Sequence, residues 1–146
     1  MKIRDILAVK GTRVVTIHED NLLVDVMSLI FANKIGSLVV VDKYDKILGI
    51  VAPNDILKAV HTSPDSISKR VVKEVMTKDV IVATPEDEVD GLMTIMTESR
   101  IRHLPVIENG ILAGIVSIGD VVKAQITAQD VEIRHLKDYM GDKYPA

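Results

Sequence analysis

The stretch that decides the fold spans residues 114–120 and reads Gly-Ile-Val-Ser-Ile-Gly-Asp. Its apolar, β-branched half predicts a strand, and the serine and aspartate three residues apart predict a helix that begins directly after it. Residues 49–55 read Gly-Ile-Val-Ala-Pro-Asn-Asp, with the glycine and the aspartate at the same spacing. The chain therefore contains a strand-to-helix unit twice.

The duplication continues outward at an offset of about 66 residues. On the N-terminal side the apolar positions Val14, Met27, Ile35, Leu38 and Val40 recur as Val80, Met93, Ile101, Leu104 and Val106. On the C-terminal side, after one deleted residue, Asp55, Lys58 and Ala59 recur as Asp120, Lys123 and Ala124. Chance seldom aligns glycine and aspartate together with apolar positions, so we interpret the pattern as a true internal repeat.

Each copy predicts a strand, a helix, a β-hairpin and a second helix, which is an α/β fold. The expected lead-in strands lie near residues 14–15 and 80–82, and the expected hairpins span residues 38–51 and 104–116. Asn109-Gly110 is a strong turn signal for the second hairpin.

The first helix of each copy is predicted from apolar residues at helical spacing. These residues are Leu23, Val26, Met27 and Ile30 in the first copy and Val89, Leu92, Met93 and Met96 in the second. We expect the helix of the second copy to begin within residues 84–87, Thr-Pro-Glu-Asp. Threonine can cap a helix, proline suits its first turn, and acids are favoured at its N-terminus.

The two copies are expected at residues 1–62 and 69–127, joined by a polar linker at residues 63–68. Residues 128–146 are expected to form an amphipathic helix and tail, with Ile133, Leu136 and Met140 at helical spacing. A unit of about 60 residues is marginally stable alone, so we expect the copies to pack together with pseudo-two-fold symmetry.

Composition excludes several classes of function. The chain has 18 Lys and Arg against 21 Asp and Glu, a formal net charge of -3, and no cysteine. Disulfides and thiolate chemistry are thereby excluded, and the acidic balance with few aromatic residues argues against a nucleic-acid partner. We see neither a membrane span nor an export signal, so we expect no membrane partner and a cytoplasmic location.

No catalytic constellation is apparent in the sequence. The histidines His18, His61, His103 and His135 are scattered without ligand spacing, and no glycine-rich Walker or Rossmann fingerprint is present. We therefore expect no enzyme activity, no catalytic residue, no metal site and no catalytic cofactor.

The turn at Ser117 and Asp120 could hold a ligand. A helix start offers free N–H groups to a phosphate, and its carboxylate can accept hydrogen bonds from ribose hydroxyls. The alternative is that both side chains only cap the helix. Arg102 and His103 could meet an anion or could be a solvated basic corner. Their counterparts in the first copy, Gly36-Ser37, are uncharged, so an anion site there would be asymmetric.

These residues resemble the cystathionine-β-synthase (CBS) domain pair, also called the Bateman module, over residues 1 to about 127. The duplicated unit carries the resemblance, together with residues 114–120 and the preceding Ser-Arg-Ile-Arg-His-Leu-Pro-Val at residues 99–106. More narrowly, the chain looks like small stand-alone bacterial CBS-pair proteins. The resemblance implies two tandem β-α-β-β-α motifs packed as one pair.

The resemblance also implies a regulatory module for signal transduction or energy sensing. Such a module binds adenosine ligands, which are AMP, ADP, ATP, NAD(H) or S-adenosylmethionine, in clefts between the copies. The implied residues of the main cleft are Lys10, Gly11, Thr12, Arg13, Ile35, Gly36, Ser37, Arg102, His103, Ser117, Gly119 and Asp120. Those of a weaker second cleft are Asp55, Thr77, Lys78, Asp79 and Val80.

Specific roles follow by analogy with the family. Asp120 would hold the ribose hydroxyls, Ser117 and the Gly119 backbone would lie against ribose or phosphate, and Arg102 and His103 would face phosphates. Ala52 and Pro53 replace the hydroxyl of the second copy, which makes the Asp55 cleft the poorer phosphate site.

The resemblance further implies a homodimer of CBS pairs and leaves room for an unidentified effector protein. The alternative is a structural dimerisation domain with empty clefts. An enzyme with an unrecognised site is the third hypothesis.

Overall fold

A computed structural model describes residues 1–140, except for the side chains of residues 128, 130, 131 and 138–140. The helices are α1 Ile3–Lys10, α2 Leu23–Asn33, α3 Pro53–Thr62, α4 Val72–Val75, α5 Leu92–Glu98 and α6 Ile118–Met140. The strands are β1 Thr16–His18, β2 Leu38–Val41, β3 Ile47–Val51, β4 His103–Glu108 and β5 Ile111–Ser117. A short 3-10 helix, Pro64–Lys69, follows α3.

Both predicted hairpins are confirmed. Strand β2 pairs antiparallel with β3, and β4 pairs antiparallel with β5. Both hairpins carry a register irregularity at equivalent places, after Val40 and after Val106, and the second turns through Asn109 and Gly110 at positive φ. The shared irregularity supports the duplication read from the sequence.

The lead-in strands differ from the prediction. Strand β1 forms at Thr16–His18, just after the expected residues 14–15, and pairs in parallel with β2. In the second copy residues 80–82 form no strand, and one parallel bridge joins Ala83 to Val106. To extend this bridge in either direction, the ladder needs N–H groups at the positions of Pro85 and Pro105, and proline has none.

The start of helix α5 also differs from the prediction. The helix begins at Leu92 after Gly91, and residues 84–87 form a turn in which the Asp87 carboxylate accepts the Thr84 N–H at 2.9 Å. The carbonyls of Pro85 and Asp87 accept N–H groups of the N-terminal segment, so they are unavailable to a helix. In the first copy the predicted helix is confirmed, and α2 buries Leu23 and Val26.

The two copies exchange their leading segments. Helix α1 buries Ile3, Ile6 and Leu7 in the core of the second copy, whereas Val72 of α4 is buried in the core of the first. The isolated bridges Lys2–Glu88 and Leu22–Val71 sit at corresponding places of these two crossings. The pair therefore has the expected pseudo-two-fold arrangement.

The repeated glycines explain how the crossings fit. A Cβ at Gly114 would lie 2.8 Å from Cδ2 of Leu7, and a Cβ at Gly49 would lie 2.7 Å from the carbonyl oxygen of Thr77. Each glycine thus lets the leading segment of one copy lie directly on the sheet of the other. This close approach gives the recurring glycine its structural role.

The C-terminal helix is longer than expected. Helix α6 runs from Ile118 to Met140, so the predicted tail helix at residues 128–140 continues the second helix of the copy. Ile133 and Leu136 are about half exposed on it. Residues 141–146 of the predicted tail lie outside the described residues.

Candidate functional site

Two clefts open between the copies, one at the start of each copy's second helix. The Asp120 cleft encloses about 390 Å³ and the Asp55 cleft about 740 Å³. The Asp120 cleft is lined by Lys10, Arg13, Val14, Val15, Asn33, Ile35, Gly36, Ser37, His103, Ile115, Ser117 and Asp120. The Asp55 cleft is lined by Gly36, Ser37, Ile50, Ala52, Pro53, Asn54, Asp55, Lys58, Thr77 and residues 100–103. Both copies contribute to each cleft.

Ser117 and Asp120 bond reciprocally at the start of α6. The Ser117 N–H donates to Asp120 Oδ2 at 2.8 Å, and the Asp120 N–H donates to Ser117 Oγ at 3.1 Å. Two of the first N–H groups at this end are thereby satisfied by side chains. Both residues cap the helix and both line the cleft, so the capping role and a ligand role are compatible.

Lys10 crosses the Asp120 cleft from the end of α1. Its Nζ donates to Asp120 Oδ2 at 2.7 Å and to the Ile115 carbonyl oxygen at 2.8 Å. Burial raises the pKa of Asp120, but the hydrogen bonds from Lys10 and Ser117 and the charge of Lys10 hold the pKa below its ordinary value. The carboxylate is therefore ionised at neutral pH.

A shared wall separates the two clefts. Gly36, Ser37 and His103 line both of them, and a Cβ at Gly36 would lie 3.0 Å from Cε1 of His103. The absence of a side chain at Gly36 makes room for the imidazole. Ser37 is buried, and its Oγ has no hydrogen-bond partner among the described residues. A buried hydroxyl without a partner is uncommon and leaves a donor and an acceptor available to a ligand.

His103 is held toward its neutral form. Burial lowers its pKa most, the positive charges of Lys10 and Arg102 lower it further, and the carboxylate of Asp120 acts in the opposite direction. At pH 7 His103 is therefore mainly the neutral imidazole, and a negative charge placed beside it would favour the cation.

The Asp55 cleft carries more positive charge. Asp55 Oδ2 accepts the Ala52 N–H at 2.8 Å, which caps α3 without a hydroxyl partner. The cations on the lining are Lys58, Arg100 and Arg102, and Asp55 is the one carboxylate among the lining residues. Among the side chains that the structure describes, none forms a salt bridge with any of the three cations.

The structure brings together most of the residues predicted for the main cleft. Those that line it are Lys10, Arg13, Ile35, Gly36, Ser37, His103, Ser117 and Asp120. Four others do not: Arg102 lines the Asp55 cleft, Thr12 lines two shallow surface depressions, and Gly11 and Gly119 are exposed. Gly11 and Thr12 lie just beyond the end of α1 at Lys10.

For the second cleft, Asp55 and Thr77 line it as predicted. Lys78, Asp79 and Val80 do not line it, because Thr77 forms a bridge with Ile50 and the chain leaves the cleft after it.

Sequence reasoning missed several lining residues. In the Asp120 cleft these are Val14, Val15, Asn33 and Ile115, and in the Asp55 cleft they are Ile50, Asn54, Lys58, Arg100 and Ile101. Ile50 and Ile115 each follow the repeated glycine by one residue, so the repeat itself could have indicated them. Arg100 follows α5 at a positive φ of 55°, a position that only the tertiary structure reveals as part of a cleft.

The described part of the chain shows neither a metal-binding cluster nor a membrane-spanning helix. Among the residues with described side chains, no group of three or more His, Cys, Asp or Glu is arranged to hold a metal ion. Among the same residues, no helix combines the length and the hydropathy needed to cross a membrane.

The family model of the CBS domain matches both copies of the repeat, at residues 3–62 and at residues 72–127. The CBS-domain containing protein ATU1752 from Agrobacterium tumefaciens has a crystal structure that is 42% identical, with a TM-score of 0.82. That match covers 86% of this chain and 99% of that chain.

Two further proteins with CBS domains are similar to this chain. The CBS domain pair of protein MJ0100, crystallised with 5′-methylthioadenosine and S-adenosyl-L-methionine, is 25% identical with a TM-score of 0.75. It covers 88% of this chain and 98% of that one. The curated relative "CBS domain-containing protein CBSX3, mitochondrial" from Arabidopsis thaliana is 33% identical over 129 residues, which are 86% of this chain and 63% of that protein. This chain thus spans less than two thirds of the Arabidopsis protein.

Proposed function

Because this chain belongs to the CBS domain family, we propose that it is a regulatory module that binds adenosine-containing ligands in the clefts between its two copies. One observation carries the proposal: the Asp120 cleft places an ionised, helix-capping carboxylate of one copy opposite cations and apolar residues of the other. The crystallised complex of MJ0100 with two adenosine-containing ligands supports the ligand class.

The lining suggests how such a ligand would sit in the Asp120 cleft. Asp120 accepts hydrogen bonds from the two ribose hydroxyls, as carboxylates do in dinucleotide-binding folds. Val14, Val15 and Ile35 offer an apolar surface to adenine, and the Ser37 hydroxyl, which has no partner among the described residues, can bond to the ligand.

The Asp55 cleft is proposed as the site of the more strongly anionic ligand. Its three lining cations and one carboxylate give a local charge of 3 - 1 = +2, on a chain whose formal net charge is -3. Its volume is also the larger of the two, at about 740 Å³ against about 390 Å³. A nucleoside polyphosphate or a dinucleotide fits both observations.

Signalling is proposed to pass through a homodimer of pairs. The outward faces of α2 and α3 expose apolar side chains, with Phe31 77% exposed and Leu57 66% exposed. Large exposed apolar side chains on two helices favour an interface on these faces. Ligand occupancy would change the relation between the copies, and an effector protein would detect that change. A cytoplasmic location stays a prediction from the sequence.

A thermal-shift experiment with matched variants tests the proposal. AMP, ATP, NAD or S-adenosylmethionine at about 100 times its dissociation constant should add about 2.7 kcal/mol to the free energy of unfolding. For a chain of this size that corresponds to roughly 5–11 °C in midpoint.

The variant Asp120→Asn keeps an oxygen for the Ser117 N–H and removes the charge that holds Lys10 and the ribose. Asp25→Asn is the matched control, because Asp25 caps α2 in the same way, accepting the Leu22 N–H at 3.0 Å, and lines neither cleft. We expect the shift for a ligand of the Asp120 cleft to shrink in Asp120→Asn and to persist in Asp25→Asn. If none of the four ligands shifts the wild-type midpoint at millimolar concentration, the structural dimerisation domain is the better account.

A further inference from the structure

The Lys10 ammonium occupies the polar end of the Asp120 cleft. It lies 2.7 Å from Asp120 Oδ2 and 2.8 Å from the Ile115 carbonyl oxygen. The Lys10 side chain is 33% exposed and the Asp120 side chain 23% exposed, so the ion pair is partly shielded from water. The carboxylate proposed to hold ribose is therefore already engaged by a cation of the same chain.

Asp120 Oδ1 has no hydrogen-bond partner among the described residues, so one ribose hydroxyl can bond there, whereas a second hydroxyl at Oδ2 has to displace Lys10. Asp120 Oδ2 accepts two hydrogen bonds, one from Lys10 and one from the Ser117 N–H at 2.8 Å. The Ser117 donor is fixed because it belongs to the backbone at the end of β5. Lys10 is the last residue of α1 and reaches the carboxylate on a flexible stem, so it is the donor that can move.

The displaced ammonium needs a new partner. Arg13 also lines the cleft, and Asp120 is the one carboxylate on the lining, so a freed Lys10 would add unpaired positive charge beside Arg13. The charge of Lys10 also lowers the pKa of His103, which lines the same cleft. A ligand that brings its own negative charge supplies an ionic partner, whereas with an uncharged nucleoside the ammonium keeps only the Ile115 carbonyl oxygen and water.

We propose that Lys10 makes the Asp120 cleft selective for adenosine ligands with an anionic 5′ substituent, by requiring that an ion pair be exchanged on binding. This inference rests on the proposed function, because it assumes that the ribose binds at Asp120. Lys10 is thus a specificity-determining residue, and its ion pair with Asp120 is the source of the selectivity.

Site-resolved NMR titrations with AMP and with adenosine test the proposal. The amides of Ser117 and Gly119 report on the Asp120 cleft, and the amides of Lys58 and Thr77 report on the Asp55 cleft. The test variant is Lys10→Met, which keeps the length of the side chain and removes the charge. The control is Lys69→Met, which removes the same charge from an exposed residue that lines neither cleft.

At the Asp120 cleft, wild type and Lys69→Met should bind AMP more tightly than adenosine. In Lys10→Met we expect adenosine to bind about two- to fivefold more tightly, since the partly shielded ion pair with Asp120 no longer has to be broken. AMP should bind roughly tenfold more weakly, since a charge-assisted hydrogen bond to the phosphate is lost. The ratio of the two dissociation constants therefore falls by more than an order of magnitude.

The outcomes separate the two proposals. A ratio that is the same in Lys10→Met as in wild type overturns the role of Lys10 and leaves nucleotide binding intact. Titration of the Lys58 and Thr77 amides alone assigns binding to the Asp55 cleft and also overturns the role of Lys10. If wild type and Lys10→Met bind neither compound at either cleft, the proposed function fails and this inference fails with it.

Discussion

Replacing Gly49 with alanine tests how the two copies cross. A Cβ at this position would lie 2.7 Å from the Thr77 carbonyl oxygen and 3.0 Å from Sδ of Met76. The nearer atom belongs to the backbone, so the Thr77 segment has to shift. That segment is held by the Thr77 N–H to the Ile50 oxygen and the Ile50 N–H to the Thr77 oxygen, each 2.9 Å long.

The magnitude follows from these contacts. Overpacking costs about 1–3 kcal/mol, and weakening two backbone hydrogen bonds costs about 0.5–1.5 kcal/mol each. Alanine in a strand recovers about 0.5–1 kcal/mol of backbone entropy. We expect Gly49→Ala to lower the free energy of unfolding by about 2–4 kcal/mol, which is roughly 4–16 °C in midpoint for a chain of this size.

Urea denaturation followed by circular dichroism measures this change. Gly119→Ala is the matched control, because the nearest atom to an added Cβ there is Ser117 Oγ at 3.6 Å, an ordinary contact, and alanine is favoured in a helix. The control should be as stable as wild type or slightly more so. If Gly49→Ala unfolds within about 0.5 kcal/mol of wild type, the close approach at Gly49 does not hold the two copies together.

Two further predictions concern protonation and assembly. Because the pKa of His103 is lowered in the folded chain, the unfolded chain binds more protons as pH falls below about 6.5, so the free energy of unfolding should decrease with acidity in that range. The decrease should be smaller in His103→Gln, and an equal decrease in both proteins would contradict the assignment. Phe31→Glu should convert the proposed dimer to a monomer in sedimentation velocity, whereas Tyr44→Glu, at a similarly exposed position on the β2–β3 turn, should leave it a dimer. A wild-type monomer at micromolar concentration, or a dimer in both variants, would refute this interface.

The repeat made most of the fold predictable. Glycine and aspartate at one spacing in residues 49–55 and 114–120 identified the strand-to-helix unit, and Asn109-Gly110 identified the second hairpin. The missing lead-in strand was not foreseen, although its cause is local: Pro85 and Pro105 remove the donors on both sides of the Ala83–Val106 bridge.

The exchange of leading segments between the two copies could not be predicted from the sequence. Ile3, Ile6 and Leu7 fit a helix, but which core they enter depends on the close approach at Gly114. The start of α5 was misplaced for a related reason, because the N-terminal segment takes the carbonyls that an earlier helix would have used.

Part of the candidate site could likewise be predicted from the sequence, and part could not. Ser117 and Asp120 were predictable because helix capping and ribose binding both use a hydroxyl and a carboxylate at a helix start. The ion pair between Lys10 and Asp120 joins residues 110 positions apart, so no local pattern indicates it. The prediction that the Asp55 cleft is the poorer phosphate site rested on the loss of one hydroxyl and did not include Arg100 and Lys58, which reach the cleft from elements whose positions only the structure supplies.

A crystal structure of the chain grown with AMP tests the central claim most directly. We expect the ribose hydroxyls within hydrogen-bond distance of the Asp120 carboxylate, with Lys10 Nζ moved from Oδ2 to the phosphate. Crystals in which saturating AMP leaves the Lys10–Asp120 pair intact and the cleft without nucleotide would contradict the account.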